Sequence, residues 1–232
     1  MPHLAIRKSV DRSVALRRDG LVLLESGWAG EFAPEAWQAF AASWNDLPPD
    51  LHMGDGGRYR RRRFATFRID DGIVRLPHAP HYQERTYNAL NGGVPRWYAP
   101  IRETVVASAP FRALVRGFVA LTRPDQSLLL EAHQFRIESG MQETGLPTPE
   151  GLHRDGRDWV LIAMVGMSNV AGGVSHVHDL AGHELARTRL TKPGEALLLD
   201  DHRVQHAVTP VTRAAPDKPA LRDVLVLTLA GD

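Results

Sequence analysis

What most limits the fold is the texture of the chain after Ser127: short apolar segments separated at close intervals by glycine and proline turns. Leu128 to Ile137, Trp159 to Met167, Val174 to Asp179, Glu184 to Leu190, Ala196 to Leu199, Ala207 to Val211 and Arg222 to Leu229 read as strands. Ser139-Gly140, Asn169 to Gly173, Ala181-Gly182, Pro193-Gly194 and Thr212 to Pro219 read as the turns between them. Many short strands joined this way predict a sandwich or barrel.

The chain before Ser127 has a different texture. Leu21 to Leu24 is a short apolar strand, and Trp37, Phe40, Ala41, Trp44 and Leu47 recur at helical spacing, with Pro34 in the first turn and Pro48-Pro49 as the stop. Further helices are expected over about Pro100 to Ser108 and Pro110 to Leu121, where Val105, Phe111, Leu114, Val115, Phe118 and Val119 offer a core face. Packed on one outer face of the strands, these helices would make a buttress. The expectation is a mainly β fold with a helical buttress: one domain over residues 1–232, helical up to about 127, with a jelly-roll core over about 128–229.

Charge and composition exclude several functions. Among 232 residues there is no cysteine, so iron–sulfur clusters, thiolate zinc and cysteine nucleophiles are ruled out, and any metal must be held by His, Asp or Glu. The 28 basic and 27 acidic side chains leave a net charge of +1, which gives no protein-wide field for nucleic acid. Charged residues interrupt the first 20 positions, and no apolar run approaches the ~20 residues of a membrane helix, so a cytoplasmic protein with no membrane partner is expected. The one basic concentration, Arg58 and Arg60 to Arg63, continues into Phe64, Thr66, Arg68 and Asp70 and reads as a strand with a solvated face.

No phosphate loop, dinucleotide-binding glycine pattern or nucleophile elbow occurs, which leaves histidine and carboxylate as the reactive groups. In an extended segment, residues two apart project to one side, so His153 and Asp155 can share an ion, and His206, 51 residues beyond Asp155, can approach from across a barrel. Two His and one carboxylate on one face of an octahedral metal leave positions free, as non-haem Fe(II) oxygenases require. His176 and His178 also share a strand face, with Glu184 following. That is an alternative, cupin-type metal site. In the alternating strand from Arg222, the arginine faces the same side as Val224 and Val226, which calls for an anion there.

Several ordered motifs carry a resemblance. Glu131-Ala132-His133-Gln134-Phe135-Arg136, Gly151-Leu152-His153-Arg154-Asp155-Gly156, Asn169 to Gly173, Pro193-Gly194-Glu195, Asp200 to Pro210 and Arg222-Asp223-Val224-Leu225 resemble the bacterial 2-oxoglutarate and Fe(II) dioxygenases that hydroxylate free L-amino acids such as isoleucine. The likeness spans about Val14 to Thr228. It implies a double-stranded β-helix, a jelly-roll related to the cupin barrel, in which His153, Asp155 and His206 bind Fe(II). It also implies 2-oxoglutarate and O2 as cosubstrates and a basic residue on the last strand for the distal carboxylate. Arg222 fits that role, although it lies 16 residues after His206 and Val224 stands where many relatives carry Ser or Thr. Arg213 is the competing anchor. A small-molecule substrate, a free amino acid or derivative, is expected, with Arg136 and Gln134 as candidates to bind it, in a monomer or homodimer. A metal or small-molecule sensor on the same fold is the alternative to an enzyme. Asp200 and Asp201 are expected in a turn, with support of the metal site as a lesser role, and Trp159 is expected in the core.

Overall fold

The computed structural model describes residues 12–122, 127–141 and 143–231. The charge-broken N-terminal segment is therefore described only from residue 12; residues 1–11 lie outside the described residues. In chain order the elements are helix α1 (12–19), β1 (Leu21–Leu24), α2 (Pro34–Ala42), β2 (Arg60–Ile69), β3 (Ile73–Arg75), α3 (Glu103–Val106), α4 (Ala109–Thr122) and β4 (Leu128–Ser139). There follow β5 (Trp159–Ser168), β6 (Val170–Gly172), β7 (Ser175–Asp179), β8 (Glu184–Thr188), β9 (Ala196–Asp200), β10 (Val204–Val208), β11 (Val211–Arg213) and β12 (Ala220–Gly231).

The strands form a seven-stranded sheet in the order β1-β9-β5-β12-β4-β2-β3, a three-stranded sheet β10-β7-β8 and a pair β11-β6. Each pairing is antiparallel. The central strands of the large sheet are buried on both faces, and period-two alternation sorts their side chains. On β5, Leu161, Ala163 and Val165 face a core shared with Leu16 of α1, Phe40 of α2 and Phe111, Leu114 and Phe118 of α4. Val160, Ile162 and Met164 face the other way, against Val177 of β7 and Val204 of β10 on the small sheet. The architecture is the mainly β double-stranded β-helix with helices on one outer face, its two sheets facing each other without closing into a barrel.

Helix α4 shows why the buttress forms. Phe111, Leu114, Val115, Phe118 and Leu121 recur at helical spacing and are buried, each large apolar side chain contributing roughly 1.5–3 kcal/mol on transfer from water. Trp159 packs against this core, as its sequence context suggested.

Three expectations need correction. The helix over Pro100 to Ser108 shrinks to α3, because the backbone of Pro100 and Ile101 is tied to Phe64 of β2, where Ile101 N donates to Phe64 O at 3.1 Å. The strand over Ala207 to Val211 is instead β10, ending at Val208, and a separate β11 beginning at Val211; Pro210 has no N–H to continue a ladder. The division at residue 127 does not divide the sheet, since β1 forms one of its edges and β2 and β3 the other.

Candidate active site

A cavity of about 870 Å³, counted with its open mouth, lies against the inner faces of β2, β4 and β12. Strand register sets out this face of the three strands in rows. Arg60, Ile137 and Arg222 are neighbours in one row, Arg62, Phe135 and Val224 in the next, then Phe64, His133 and Val226, and last Thr66, Glu131 and Thr228.

On its rim, residues distant in sequence meet through backbone pairing. His153 N donates to His206 O at 3.1 Å and His206 N to His153 O at 2.9 Å, an isolated antiparallel bridge that puts the imidazoles side by side, their centroids 4.4 Å apart. Asp155 joins them: its carboxylate oxygens lie 3.7 Å from His153 Nε2 and 3.8 Å from His206 Nε2. One ligand atom from each of the three falls within 4.8 Å of the others. Two imidazoles and a carboxylate are the donor set that suits a divalent first-row metal. His153 Nδ1 is 3.0 Å from Gly151 O, so it carries the proton and leaves the Nε2 lone pair toward the cluster. Burial, then the adjacent His153, push the His206 imidazole down to about 3 and keep it neutral. For His153 burial also works downward, but Asp155 and Glu150 outweigh it and hold the ring above its ordinary value.

The loop carrying Asp155 is held from behind. Asp201, buried at the end of β9, accepts from the backbone N–H of Asp155 at 3.0 Å, of Gly156 at 2.7 Å and of Arg157 at 3.1 Å. The turn expected at Asp200-Asp201 thus does more than reverse the chain. Gly156 must be glycine: its φ is +74°, and a Cβ there would sit 2.5 Å from the Tyr87 ring.

Arg222 reaches the same cavity and is only 2% exposed. Among the described residues its Nε and Nη2 have no hydrogen-bond partner, and burial, followed by Arg189, pushes its pKa down to about 10. Gly173 lies beside the arginine, and it is the left-handed φ of +67° that favours glycine there, since a Cβ would meet Cδ only at an ordinary contact distance of 3.4 Å. Arg213, the competing anchor, bonds Met141 Sδ and Pro216 O outside the cavity lining.

Other expectations fall on the wrong face. Arg136 and Gln134 share the helix side of β4 with Leu130 and Ala132, not the cavity side with His133 and Phe135. Arg136 makes a bidentate pair with Asp223, both bonds 2.7 Å, and Gln134 Nε2 donates to Ser43 Oγ at 2.9 Å. Neither is positioned to meet a substrate. His176, His178 and Glu184 do gather on the β7–β8 hairpin, with His176 Nδ1 2.8 Å from Glu184 Oε2, but they stand apart from the lining of this cavity.

The arginine run is corrected too. Arg60 and Arg62 are not solvated but buried in the cavity wall, Arg60 Nε donating to Asp50 Oδ2 at 2.7 Å. Arg61 and Arg63 take the other face, toward Glu138 and Asp46. A signal existed: Phe64 and Thr66 alternate with Ala65 and Phe67, so both faces of this strand needed cover. His81, Arg96, Glu131, His133, Glu150 and Arg157 of the lining were likewise not singled out as site residues.

His81, Glu131 and His133 form a second buried group of two imidazoles and a carboxylate. Arginine only donates, so Arg62 Nη2 at 2.6 Å from His133 Nδ1 and Arg96 Nη2 at 3.0 Å from His81 Nδ1 fix both rings with their proton on Nε2. Glu131 Oε2 is taken by Arg157 Nη2 at 2.9 Å. The imidazole lone pairs a metal would need are therefore committed. Burial, with Arg62 next, holds both imidazoles well below 6.5. In the unfolded chain they protonate freely below pH 6.5, so there the unfolded state binds more protons and stability is lost as pH falls. Each ring adds up to about 1.4 kcal/mol per pH unit to that loss. Denaturant unfolding of metal-free protein between pH 7.5 and 5.5 is expected to show a shallower loss in His133→Asn than in the parent, and equal slopes would mean that the ring already protonates in the fold.

Comparison with known proteins agrees with this geometry. The family model described as 2OG-Fe dioxygenase matches residues 41–228. The chain is 28% identical over 158 residues to 3(1)-hydroxy-L-isoleucine 4-dioxygenase of Pantoea ananatis, covering 64% of this chain and 63% of that protein. It is 26% identical over 157 residues to L-isoleucine-4-hydroxylase of Bacillus thuringiensis, covering 65% of each. The match spans just under two thirds of either relative. Among solved structures, a bsmA homolog from Methylobium petroleophilum PM1 superposes with a TM-score of 0.86 at 36% identity, over 96% of this chain and 93% of that one. IDO from Bacillus thuringiensis superposes at 0.83 with 16% identity, over 97% and 99%. With most of its length inside the family's pattern and a cavity that brings two His, one Asp and a free guanidinium together, the chain belongs to the 2OG-Fe dioxygenase family, whose cofactor and cosubstrates are Fe(II), 2-oxoglutarate and O2.

Proposed function

We propose that this protein hydroxylates a free L-amino acid or a close derivative, with His153, Asp155 and His206 holding the iron and Arg222 holding the distal carboxylate of 2-oxoglutarate. The observation that carries the reading is the pairing of two unsatisfied features in one cavity: two imidazoles and a carboxylate fit for a divalent metal and a buried guanidinium that has no ion-pair partner among the described residues. Burying an unpaired charge costs several kcal/mol, so Arg222 is a standing receptor for an anion. A guanidinium suits it because it binds a carboxylate bidentately and stays charged at working pH.

When bound, the cofactor and cosubstrates supply the oxidation: 2-oxoglutarate and O2 become succinate and CO2 as one oxygen atom enters a C–H bond of the second substrate. The chain's own residues orient and enclose. Gly151 O fixes the His153 ring, Asp201 fixes the Asp155 loop, and Ile162, Val208, Val224 and Val226 give the chamber an apolar wall against water. The amino-acid substrate rests on the names of the two curated relatives, both of which act on isoleucine or its hydroxylated form.

Protein supplied with Fe(II), 2-oxoglutarate and O2 is assayed for succinate against a panel of L-amino acids. At least one is expected to raise succinate release well above the rate without it and to gain the mass of one oxygen atom. If none does, the amino-acid assignment falls.

A further inference from the structure

The cavity holds more unpaired cation than one cosubstrate can use. 2-Oxoglutarate chelates a metal through its keto-acid end and so presents one distal carboxylate, which Arg222 can take. Two other guanidinium groups in the same wall have no carboxylate to themselves among the described residues. Arg62 is 3% exposed; its nearest carboxylate, Asp50, stands 3.7 Å away and is already bound by Arg60 at 2.7 Å. Arg96 is 2% exposed, and among the described residues its guanidinium hydrogen-bonds the neutral His81. Among the described residues Nε of each has no hydrogen-bond partner, and neither has the nearby Tyr98 hydroxyl. Arg62 is braced rather than loose, with its guanidinium 3.7 Å from the Tyr98 ring centre and 4.4 Å from that of Phe135.

These donors are separate from Arg222. Arg62 lies on β2, two strands across from β12 and one row along, which puts its backbone roughly 10–12 Å from that of Arg222 at ordinary strand spacings. The two arginines also set the neighbouring rings. By donating to Nδ1 of His133 and His81 they turn both Nε2 atoms into N–H donors, so this end of the chamber offers hydrogen to an acceptor from several sides.

Resting on the reading that Arg222 serves 2-oxoglutarate, we infer that Arg62 and Arg96 form a second anion receptor, which takes a carboxylate of the substrate to be hydroxylated. A carboxylate there would satisfy the orphaned Nε donors and neutralise the surplus charge. The receptor selects for acids and rejects the matching amides and esters, whatever the rest of the substrate.

The test uses whole protein loaded anaerobically with Fe(II) and 2-oxoglutarate, whose weak visible charge-transfer band reports both cosubstrate binding and a second ligand arriving beside it. Titrants are L-amino acids, their carboxamides, and the matching 2-hydroxy acids, against parent, Arg96→Met, Arg62→Met and Arg62→Lys. A carboxylate titrant is expected to bind the parent at least about 30-fold more tightly than its amide, with that preference lost in Arg96→Met and Arg62→Met and only partly kept in Arg62→Lys. Affinity for 2-oxoglutarate is expected to hold in all three variants. Should Arg62→Met fail to fold, Arg96→Met and Arg62→Lys still decide the matter. Amides binding the parent as well as acids, or an undiminished preference in the variants, overturns the receptor. Loss of 2-oxoglutarate affinity in them overturns it too, since these arginines would then serve the cosubstrate. If hydroxy acids bind through Arg62 and Arg96 but amino acids do not, the receptor stands and the amino-acid reading alone falls.

Discussion

Asp155→Asn is expected to abolish succinate formation, reducing it by at least about 10³-fold, beyond the 10–100-fold that usually follows loss of a group merely supporting a metal ligand. The substitution keeps the shape of the side chain and removes its charge. Asp155 is well suited to the experiment because its carboxylate makes no hydrogen bond among the described residues; the loop is held instead by Asp201 through backbone N–H groups. The fold of metal-free Asp155→Asn should therefore match the parent in thermal unfolding, while iron retained after dialysis falls in parallel with activity. Parent-like iron content and succinate release in this variant would remove the metal assignment.

Arg222→Met is expected to raise the KM for 2-oxoglutarate by about 100-fold or more, the scale of truncating one partner of a buried charge pair. The KM for the second substrate should change little. The same substitution is expected not to lower the melting temperature of cosubstrate-free protein, and to raise it if anything, because it removes a buried guanidinium with two unpaired nitrogens and leaves an aliphatic chain of similar reach. Arg222→Lys should recover part of the affinity, keeping the charge without the two-pronged geometry. An unchanged KM in Arg222→Met would place the cosubstrate's carboxylate elsewhere, and the Arg62 and Arg96 pair would be the first site to examine.

The two sets of candidates fared differently for a physical reason. His153 and Asp155 stood out as residues two apart in an extended segment that can share an ion, and Arg222 as a cation in register with valines. Such signals are local, so they survive in one dimension. Arg136 and Gln134 were chosen for their polarity on an entering strand, and polarity says nothing of which face a strand presents. The parity of β4 follows from Leu128, Leu130 and Ala132, which seek the helices, and this turns Gln134 and Arg136 toward Ser43, Asn45 and Asp223. The arginine run failed in the opposite direction. Alternate members go to opposite faces, and whether either face sees water depends on what lies above it, here Asp50, Tyr98 and Arg96 from loops before and after the strand.

By itself, the sequence determined the kinds of local structure and the kinds of chemistry open to this protein. Turn residues cut the second half into short strands, helical spacing marked the α4 buttress, and the absence of cysteine confined any metal to imidazole and carboxylate. These are properties of neighbouring residues and of composition. Only the tertiary structure decided which side chains share a chamber. The bridge between His153 and His206, the sheet face given to each arginine and the number of buried cations left without a counterion all depend on pairing across long stretches of chain. A one-residue change of strand register would carry every side chain of that strand to the other face, leaving its composition untouched and its function lost.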